Sequence, residues 1–257
     1  MSDSEDKKRS LAFSASEEPR FWWHRLAGSN YVPPIYAFLS EDEWQLLREW
    51  YAQTSRENMV GECAVPLISF LQGFIMGNIT HRIVQLGTHS GYSALLLGFY
   101  LRSMGVRHGL FSLEIDESFC HYARSWLERA GLSDVVQVEH RSSLDPLSGK
   151  LAREYLGSAP ELVFIDSSHE YGCTRDELDY WYRELAPGGT IVLHDTSEFA
   201  ADFDVTKQGG VRRAFEEWRN RNPGVESFSF NKDVRSMEVP PSAGKDFCGF
   251  GLIRKSL

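Results

Sequence analysis

The sequence predicts an α/β fold in which helices cover both faces of a mostly parallel sheet. From residue 82 onward, short apolar runs that suit buried strands alternate with segments whose apolar residues recur at helical spacing. The connections between these segments are short, as in sheets built from repeated strand–helix–strand units. The last two apolar runs have no helical pattern between them, which favours an antiparallel hairpin at the edge of the sheet. We therefore expect a doubly wound sheet of seven strands with a helical N-terminal extension.

The composition is that of an ordinary soluble protein, with 42% hydrophobic and 25% charged residues in a chain of 257. This length fits one large α/β domain with an appendage. A net charge of -9 without a basic block argues against a nucleic-acid partner. The four cysteines lack the spacing of a zinc site or a disulfide framework, and no apolar run is long enough to span a membrane. Since no signal-peptide pattern is present either, we expect a cytoplasmic protein.

Three regions are expected along the chain. Residues 1–20 are polar, which predicts a disordered tail, because so few apolar groups cannot offset the entropy of ordering. Residues 21–80 are predicted to form an N-terminal arm with helices. Its aromatic opening, Phe21 to Tyr36, is compatible with a lid, a pocket wall, an oligomer contact or a packed arm. Residues 81–257 are predicted to form the main domain.

Local signals place the helices and strands in order. Ser40-Glu41-Asp42-Glu43 has the form of a capping box and predicts a helix from Glu41. A second, apolar helix is expected from Val65 to Met76, ended near Gly77. The strands are predicted at 82–86, 109–114, 134–139, 161–165, 189–194, 225–230 and 247–253. The helices of the main domain are predicted at 91–103, 117–130, 145–156, 173–185 and 211–220.

The loop after the first strand has the features of a ligand-binding turn. Gly87 and Gly91 allow a sharp turn and a close approach to a ligand, and the next helix offers unpaired N–H groups. Glu114 ends the second strand a little over twenty positions further on, where nucleotide-binding sheets present a carboxylate to ribose hydroxyls. Such a turn can also merely connect strand to helix, and Glu114 can be a solvated carboxylate at a helix start.

Polar residues follow two further strands at the edge where open α/β sheets bind ligands. Asp166 follows one buried run and His194-Asp195 ends the next, so two carboxylates can converge on a site suited to magnesium or manganese. His169, one turn beyond Asp166, is a candidate general base. His194 is a candidate metal ligand or partner of one. The alternative is structural, with Asp166 capping the next helix and Asp195 ending a strand in water.

With these residues assembled, the region from Gly61 to Ile253 resembles the class I S-adenosylmethionine-dependent methyltransferases, which have a Rossmann-like sheet. It looks most like the metal-dependent small-molecule O-methyltransferases, the group that includes the catechol, caffeoyl-coenzyme A and macrolide-sugar enzymes. The resemblance implies S-adenosyl-L-methionine as cofactor and Mg²⁺ or Mn²⁺ as metal. It implies these cofactor-binding residues: Gly61, Gly87, Thr88, His89, Ser90, Gly91, Tyr92, Ser93, Glu114, Ser142, Ser143 and Asp166.

In this family the carboxylate of Glu114 binds the ribose, and Ser142 and Ser143 flank the adenine. The resemblance further implies that Asp166 and Asp195 hold the metal, with His194 beside them, and that His169 is the base. The chain departs from the family pattern at three places: Gln85 stands where an acid is usual, His89 where a small residue is frequent, and His194-Asp195-Thr196 where relatives have Asp-Asn or Glu-Asp.

The resemblance implies methyl transfer to a hydroxyl of a small molecule such as a secondary metabolite or sugar, with a homo-oligomer left open. Three alternatives stand beside it. The first is a metal-independent methyltransferase acting on another acceptor, and the second is a non-catalytic binding protein of the same fold. The third is a nicotinamide-dependent oxidoreductase, which the lack of the Gly-x-Gly-x-x-Gly spacing disfavours.

Overall fold

The computed structural model describes residues 32–236 and 246–257. The predicted tail 1–20, the aromatic residues at the start of the N-terminal arm and the loop around Pro240 lie outside this range. The chain divides into two compact units, Met1–Asn58 and Met59–Leu257. The second unit therefore begins about twenty residues before the predicted start of the main domain and includes the second predicted helix.

The described part of the first unit contains two helices, α1 (Pro34–Ala37) and α2 (Glu41–Arg56). The predicted capping box is present at the start of α2: Ser40 N–H donates to Glu43 Oε2 at 2.7 Å, and Glu43 N–H donates to Ser40 Oγ at 3.3 Å. This reciprocal pair satisfies two N–H groups that a helix start leaves without partners. Within the same unit, the rings of Tyr36 and Trp44 meet edge to face with centroids 5.5 Å apart.

The second unit is built on one seven-stranded sheet. Its strands, in chain order, are β1 (Ile83–Leu86), β2 (Leu110–Glu114), β3 (Val136–His140), β4 (Leu162–Ile165), β5 (Thr190–His194), β6 (Glu226–Phe230) and β7 (Phe250–Arg254). The order across the sheet is β3-β2-β1-β4-β5-β7-β6. The first five strands pair in parallel, whereas β7 runs antiparallel to both β5 and β6. The predicted fold class is confirmed.

Helices cover both faces of this sheet. They are α3 (Val65–Asn78), α4 (Tyr92–Ser103), α5 (Glu117–Arg129), α6 (Ser148–Leu156), α7 (Tyr171–Glu184) and α8 (Gly210–Arg221). On one face, a core cluster joins alternate residues of β1, β2, β4 and β5 to apolar side chains of α6, α7 and α8. Because neighbouring residues of a strand point to opposite faces, the intervening strand residues face the other layer, where α4 contacts α3 and α5. All residues of β1, β2, β4 and β5 are buried, as their apolar runs predicted.

The C-terminal hairpin matches its prediction, with one detail that the sequence did not show. The second strand of the hairpin, β7, inserts between β5 and β6, so β6 forms the edge. Because β7 is antiparallel to β5, β7 begins at the edge of the sheet where β5 ends. Residues 246–249, just before β7, therefore reach the carboxyl end of β5, since His194 pairs with Phe250. No helix in the described ranges is long and apolar enough to cross a membrane.

The packing of α8 on β7 depends on a missing side chain at Gly251. A Cβ at this position would lie 2.5 Å from Cε1 and 2.8 Å from Cζ of the buried Phe215 ring. Real Cβ atoms do not approach ring carbons that closely, so the ring occupies the space that a side chain on the strand would take.

We expect Gly251→Ala to lower the free energy of unfolding by about 1–3 kcal/mol, because the added methyl overpacks a closed core. Urea unfolding measures the difference. Gly224→Ala is the matched control, because a Cβ there meets no atom within 4 Å. Adding Phe215→Leu to Gly251→Ala makes room for the methyl, so the two changes should show coupling in a double-mutant cycle. Equal stabilities of Gly251→Ala and Gly224→Ala would contradict this account.

Candidate active site

The candidate site lies where the direction of the strand order reverses, between β1 and β4. From β1 the chain builds outward to β2 and β3 on one side, and β4 and β5 extend the sheet on the other. At such a switch point the loops after the two central strands separate and leave a crevice for a ligand. Here these loops are the glycine turn after β1 and the segment that begins with Asp166 after β4. Residues from β2, β3 and β5 approach the same edge.

The glycine turn approaches the β4 loop so closely that only glycine fits. Gly87 has φ of 85°, and a Cβ there would collide with the main-chain oxygen of Asp166. Gly91, with φ of 94°, forms the N-cap of α4. His89, between them, also has a positive φ, 47°. Glycine has no penalty in this region, so its positions in the turn follow from both sterics and backbone conformation.

Glu114 holds the glycine turn in place through main-chain hydrogen bonds. Its Oε2 accepts from the N–H of Thr88 at 3.0 Å and of His89 at 2.7 Å, and its Oε1 accepts from Asp116 N–H at 3.0 Å. The Thr88 hydroxyl adds a bond of 2.6 Å to Ser112 on β2. The carboxylate therefore fixes the loop, and Oε1, which accepts a single N–H, retains lone-pair capacity for another donor.

The imidazole of His89 is enclosed by its neighbours. Its ring centroid lies 4.2 Å from that of Phe119, and Nδ1 lies 3.1 Å from Ser90 Oγ. Gly61 faces the same ring: a Cβ there would come within 3.0 Å of His89 Cε1. The structure thus brings Gly61 and the glycine turn together, although twenty-six residues separate Gly61 from Gly87.

Gln85, which stands where the family pattern has an acid, is bound to this turn by the hydrogen bonds that its side-chain amide donates. Its Nε2 donates to Gly87 O at 2.7 Å and to Ser93 Oγ at 2.8 Å, which ties the strand end to the first turn of α4. Its Oε1 is buried and has no hydrogen-bond partner among the described residues. An acid at this place would lack the donors that Gln85 supplies to the turn.

Beyond β4 and β5, two histidines and two aspartates form a compact group of opposite charges. His194 Nδ1 lies 3.2 Å from Asp166 Oδ1 and 3.6 Å from Asp195 Oδ1. His169 Nε2 lies 3.2 Å from Asp195 Oδ2. His194 and Asp195 are buried, whereas the His169 side chain is 47% exposed. All four predicted residues therefore meet at one edge, and the ring of His169 is the one open to a ligand.

Electrostatics couples the protonation of these groups. Burial alone would lower the pKa of His194, but the charges of Asp195 and Asp166 outweigh it and raise the pKa well above its ordinary value. The hydrogen bond that His169 donates to the Asp195 carboxylate raises the pKa of His169. Burial would raise the pKa of Asp195, yet the two imidazoles hold it below its ordinary value. Asp195 also has φ of 61°, a rare conformation for a residue with a side chain that aims its carboxylate at both histidines.

Asp246 is part of this group, and the sequence analysis missed it. Its Oδ1 lies 3.6 Å from His194 Nε2 and accepts the N–H groups of Cys248 at 3.2 Å and Gly249 at 3.0 Å. Its Oδ2 and His194 Nε2 are buried and have no hydrogen-bond partner in the described part of the chain. The signal that could have found it is its place just before β7, which the antiparallel pairing brings to the end of β5.

A second missed residue, Glu177 of α7, joins the loop after β3 to the loop after β4. Its Oε1 accepts from Ser143 Oγ at 2.5 Å, and both of its oxygens lie 2.8 Å from Ser167 Oγ, next to Asp166. Trp181, one turn along α7, donates its indole N–H to Ser143 O at 3.1 Å. Burial raises the pKa of Glu177 to about 7, although the two serine hydroxyls oppose this shift.

Comparisons with known proteins show which proteins the chain is similar to. A family model described as a methyltransferase domain matches residues 84–196. The catechol O-methyltransferase of Niastella koreensis is 29% identical over 146 residues, 54% of this chain and 62% of that protein. The catechol O-methyltransferase of Mycobacterium tuberculosis is 25% identical over 177 residues, 67% of this chain and 72% of that protein. The structure of the Bacillus cereus O-methyltransferase in complex with SAH superposes with a TM-score of 0.64 and 23% identity, covering 82% of this chain and 91% of that one.

The segment from residue 84 to residue 196 matches the methyltransferase domain family. This confirms the resemblance that the glycine turn, Glu114 and the two aspartates suggested. The family segment runs from β1 to just beyond β5 and so carries each of those residues. The match to the Niastella protein spans 62% of that protein's length. The roles of the individual site residues stay predictions, as does the start of the main domain at residue 81.

Because Glu177 is buried with a raised pKa, the stability of the protein should depend on pH. The unfolded carboxyl ionises near 4.5, whereas the folded one retains its proton until about 7. A raised folded pKa adds stability below the unfolded value, and this stability is lost as pH rises through the folded value. Between these limits wild type should lose on the order of 3 kcal/mol relative to Glu177→Gln, which does not ionise.

Unfolding in urea at four pH values from 4.5 to 8 measures this difference. The readout is the change in the free energy of unfolding with pH. The altered hydrogen bonds of the glutamine change this free energy by the same amount at every pH, so they do not affect the readout. Glu128→Gln, an exposed position on α5, is the control and should follow wild type. If wild type and Glu177→Gln ran parallel across the range, Glu177 would not carry the shifted pKa.

Proposed function

We propose that the chain transfers the methyl group of S-adenosyl-L-methionine to a hydroxyl oxygen of a small molecule. One observation carries this proposal: the glycine turn with Glu114 and the His169–Asp195 pair meet at the β1–β4 switch point of a methyltransferase domain. The catechol O-methyltransferase names of both curated relatives support oxygen as the acceptor. A glycosylated or aromatic secondary metabolite is the acceptor class that we expect.

The cofactor would lie along the carboxyl edge from β4 to β3. The glycine turn would hold its methionine end, with Gly61 closing over His89. Glu114, whose Oε1 accepts only one N–H, would accept a hydrogen bond from the ribose through that oxygen. Ser142 and Ser143 would flank the adenine. Ile115 follows Glu114 with 72% of its surface exposed, which supplies an apolar face on the same side.

The acidic edge is suited to a divalent cation such as Mg²⁺ or Mn²⁺. Asp166 and Asp195 would hold it through carboxylate oxygens, and His194 would add or orient a donor. His194 Nδ1 lies 3.2 Å from Asp166 Oδ1 and 3.6 Å from Asp195 Oδ1, which supports this fit. A bound divalent ion would supply Lewis acidity that lowers the pKa of the acceptor hydroxyl.

His169 is the residue that would take the hydroxyl proton. With Nε2–H donating to Asp195 Oδ2, the lone pair of Nδ1 is left to accept a proton. The same bond fixes the ring and stabilises the imidazolium that forms after transfer. Asp166 and Asp195 would align the acceptor oxygen with the methyl carbon and sulfur. Such alignment can supply about 7–11 kcal/mol of the barrier in favourable cases.

A metal-independent methyltransferase is the second candidate function. The observation that favours it is His194, whose Nδ1 lies near both Asp166 and Asp195, so that an imidazolium there can offset part of their negative charge without an ion. Methyl transfer in the presence of a chelator would identify this case, and loss of transfer that a divalent ion restores would exclude it. All four cysteines are free thiols, which supports the cytoplasmic location proposed for either enzyme.

The first expected outcome concerns the cofactor. S-adenosyl-L-methionine or its demethylated product, at about a hundred times its dissociation constant, should stabilise the protein by roughly 2.7 kcal/mol and raise Tm by several degrees. NAD at the same concentration should leave Tm unchanged. A thermal-shift series measures both. A rise with NAD alone would overturn the cofactor assignment.

The second expected outcome concerns the base. We expect His169→Ala to lose about 10²–10⁴-fold in kcat for methyl transfer to catechol, because no group remains to accept the proton. The Tm rise with S-adenosyl-L-methionine should persist, since the ring lies beyond the glycine turn. His121→Ala, at an exposed site on α5, should keep full turnover. A His169→Ala enzyme with undiminished kcat would remove His169 from this role.

A further inference from the structure

The donor atoms at the end of β5 include a thiol as well as oxygen and nitrogen. Donor atoms of His194, Asp195 and Cys248 all lie within 4.8 Å of one another. Cys248 reaches this place because it precedes β7, whose first residue pairs with His194. The three side chains therefore form one group, although two are adjacent in sequence and the third is more than fifty residues away.

Two buried polar atoms beside this group are without hydrogen-bond partners in the described ranges. They are His194 Nε2 and Asp246 Oδ2, on residues that are 6% and 1% exposed. Leaving a buried donor or acceptor unsatisfied costs about 1–3 kcal/mol, so such atoms need an explanation. The two side chains face each other, with His194 Nε2 3.6 Å from Asp246 Oδ1. An ion that accepts an electron pair from His194 Nε2 would satisfy that nitrogen.

The donor chemistry distinguishes between classes of ion. Mg²⁺ prefers six oxygen ligands in near-octahedral geometry and retains several waters. Imidazole nitrogen, thiolate sulfur and one or two carboxylate oxygens instead suit a borderline ion such as Zn²⁺ or Co²⁺, usually with four ligands. A site of this kind that has three protein ligands keeps one position open for a water or a substrate oxygen.

We propose that the ion at this edge is a transition-metal ion of the Zn²⁺ class, held by His194, Asp195 and the thiolate of Cys248. This inference rests on the metal site of the proposed function and changes its expected ion from Mg²⁺. On binding, the S–H bond of Cys248 breaks, its proton goes to solvent and the sulfur lone pair forms the bond to the ion. Asp246 is a positioning residue, because it faces His194 Nε2 and holds the main chain of Cys248.

The test uses Co²⁺ as a spectroscopic substitute for Zn²⁺ in the full-length protein after dialysis against a chelator. Wild type is expected to bind one Co²⁺ and to show the near-ultraviolet charge-transfer absorption of a cobalt–thiolate bond. Cys248→Ser should lose this band and bind Co²⁺ about 10- to 100-fold more weakly. Cys173→Ser, at a half-buried thiol on α7, should keep both. Retention of the band in Cys248→Ser, or Co²⁺ binding without it in wild type, would overturn the thiolate assignment.

Two further measurements test whether another cysteine binds the ion and whether each variant is folded. Cys63→Ser tests the other cysteine whose pKa responds to His194 and Asp246, and loss of the band there instead would overturn the role of Cys248. The Tm of each metal-free variant, with and without S-adenosyl-L-methionine, shows that it folds and binds cofactor. A wild type that binds cofactor but no Co²⁺ would overturn the metal proposal and leave the methyltransferase proposal standing. A wild type that binds Co²⁺ through Cys248 but binds no cofactor would support the metal proposal and overturn the methyltransferase proposal.

Discussion

The site depends on the close approach of two loops at the centre of the sheet. Gly87 can rest on the main chain of Asp166 only because it has no side chain. Two main-chain bonds of 3.0 Å continue the strand pairing up to this point: Asp166 N–H donates to Leu86 O, and Gly87 N–H donates to Leu113 O. The turn after β1 is therefore fixed between β2 and β4. A cofactor bound on the turn and an acceptor bound near Asp166 are then neighbours by construction, which is what in-line transfer between them requires.

The buried charges at this edge impose a second constraint. Asp166, Asp195 and Asp246 place three carboxylates around one buried imidazole, and His169 approaches from the exposed side. Unpaired carboxylates at this depth would be costly, because burial disfavours the charged form. The group is stable when positive charge balances it, from the imidazoles or from an ion with two positive charges. The same requirement keeps His169 bonded to Asp195, so charge balance also orients the proposed base.

The sequence predicted most of the fold because the fold depends on local signals. Buried parallel strands read as continuous apolar runs, and the capping box marked the start of α2 within one residue. Asp166, His169, His194 and Asp195 were predictable for the same reason, since each follows or ends such a run. Asp246 was not, because its place depends on β7 entering the sheet between β5 and β6, which no local pattern encodes. Glu177 was missed because charged residues surround it on α7, and only tertiary packing distinguishes it from the exposed ones.

Helix α7 connects the two halves of the crevice. The Thr174 hydroxyl donates a hydrogen bond to Ser168 O at 3.2 Å. The Glu177 carboxylate accepts hydrogen bonds from the hydroxyls of Ser143 and Ser167. The indole N–H of Trp181 donates a hydrogen bond to Ser143 O. Tyr180 extends this contact by accepting Gly149 N–H at 3.0 Å. Three successive turns of one helix thus support the loop expected at the adenine and the loop that carries Asp166. A rigid helix under both loops would fix the distance between the two ends of a cofactor bound as proposed. Because a helix side chain cannot shift without disturbing its packed neighbours, a change in the hydrogen bonds of Glu177 would reach both loops at once.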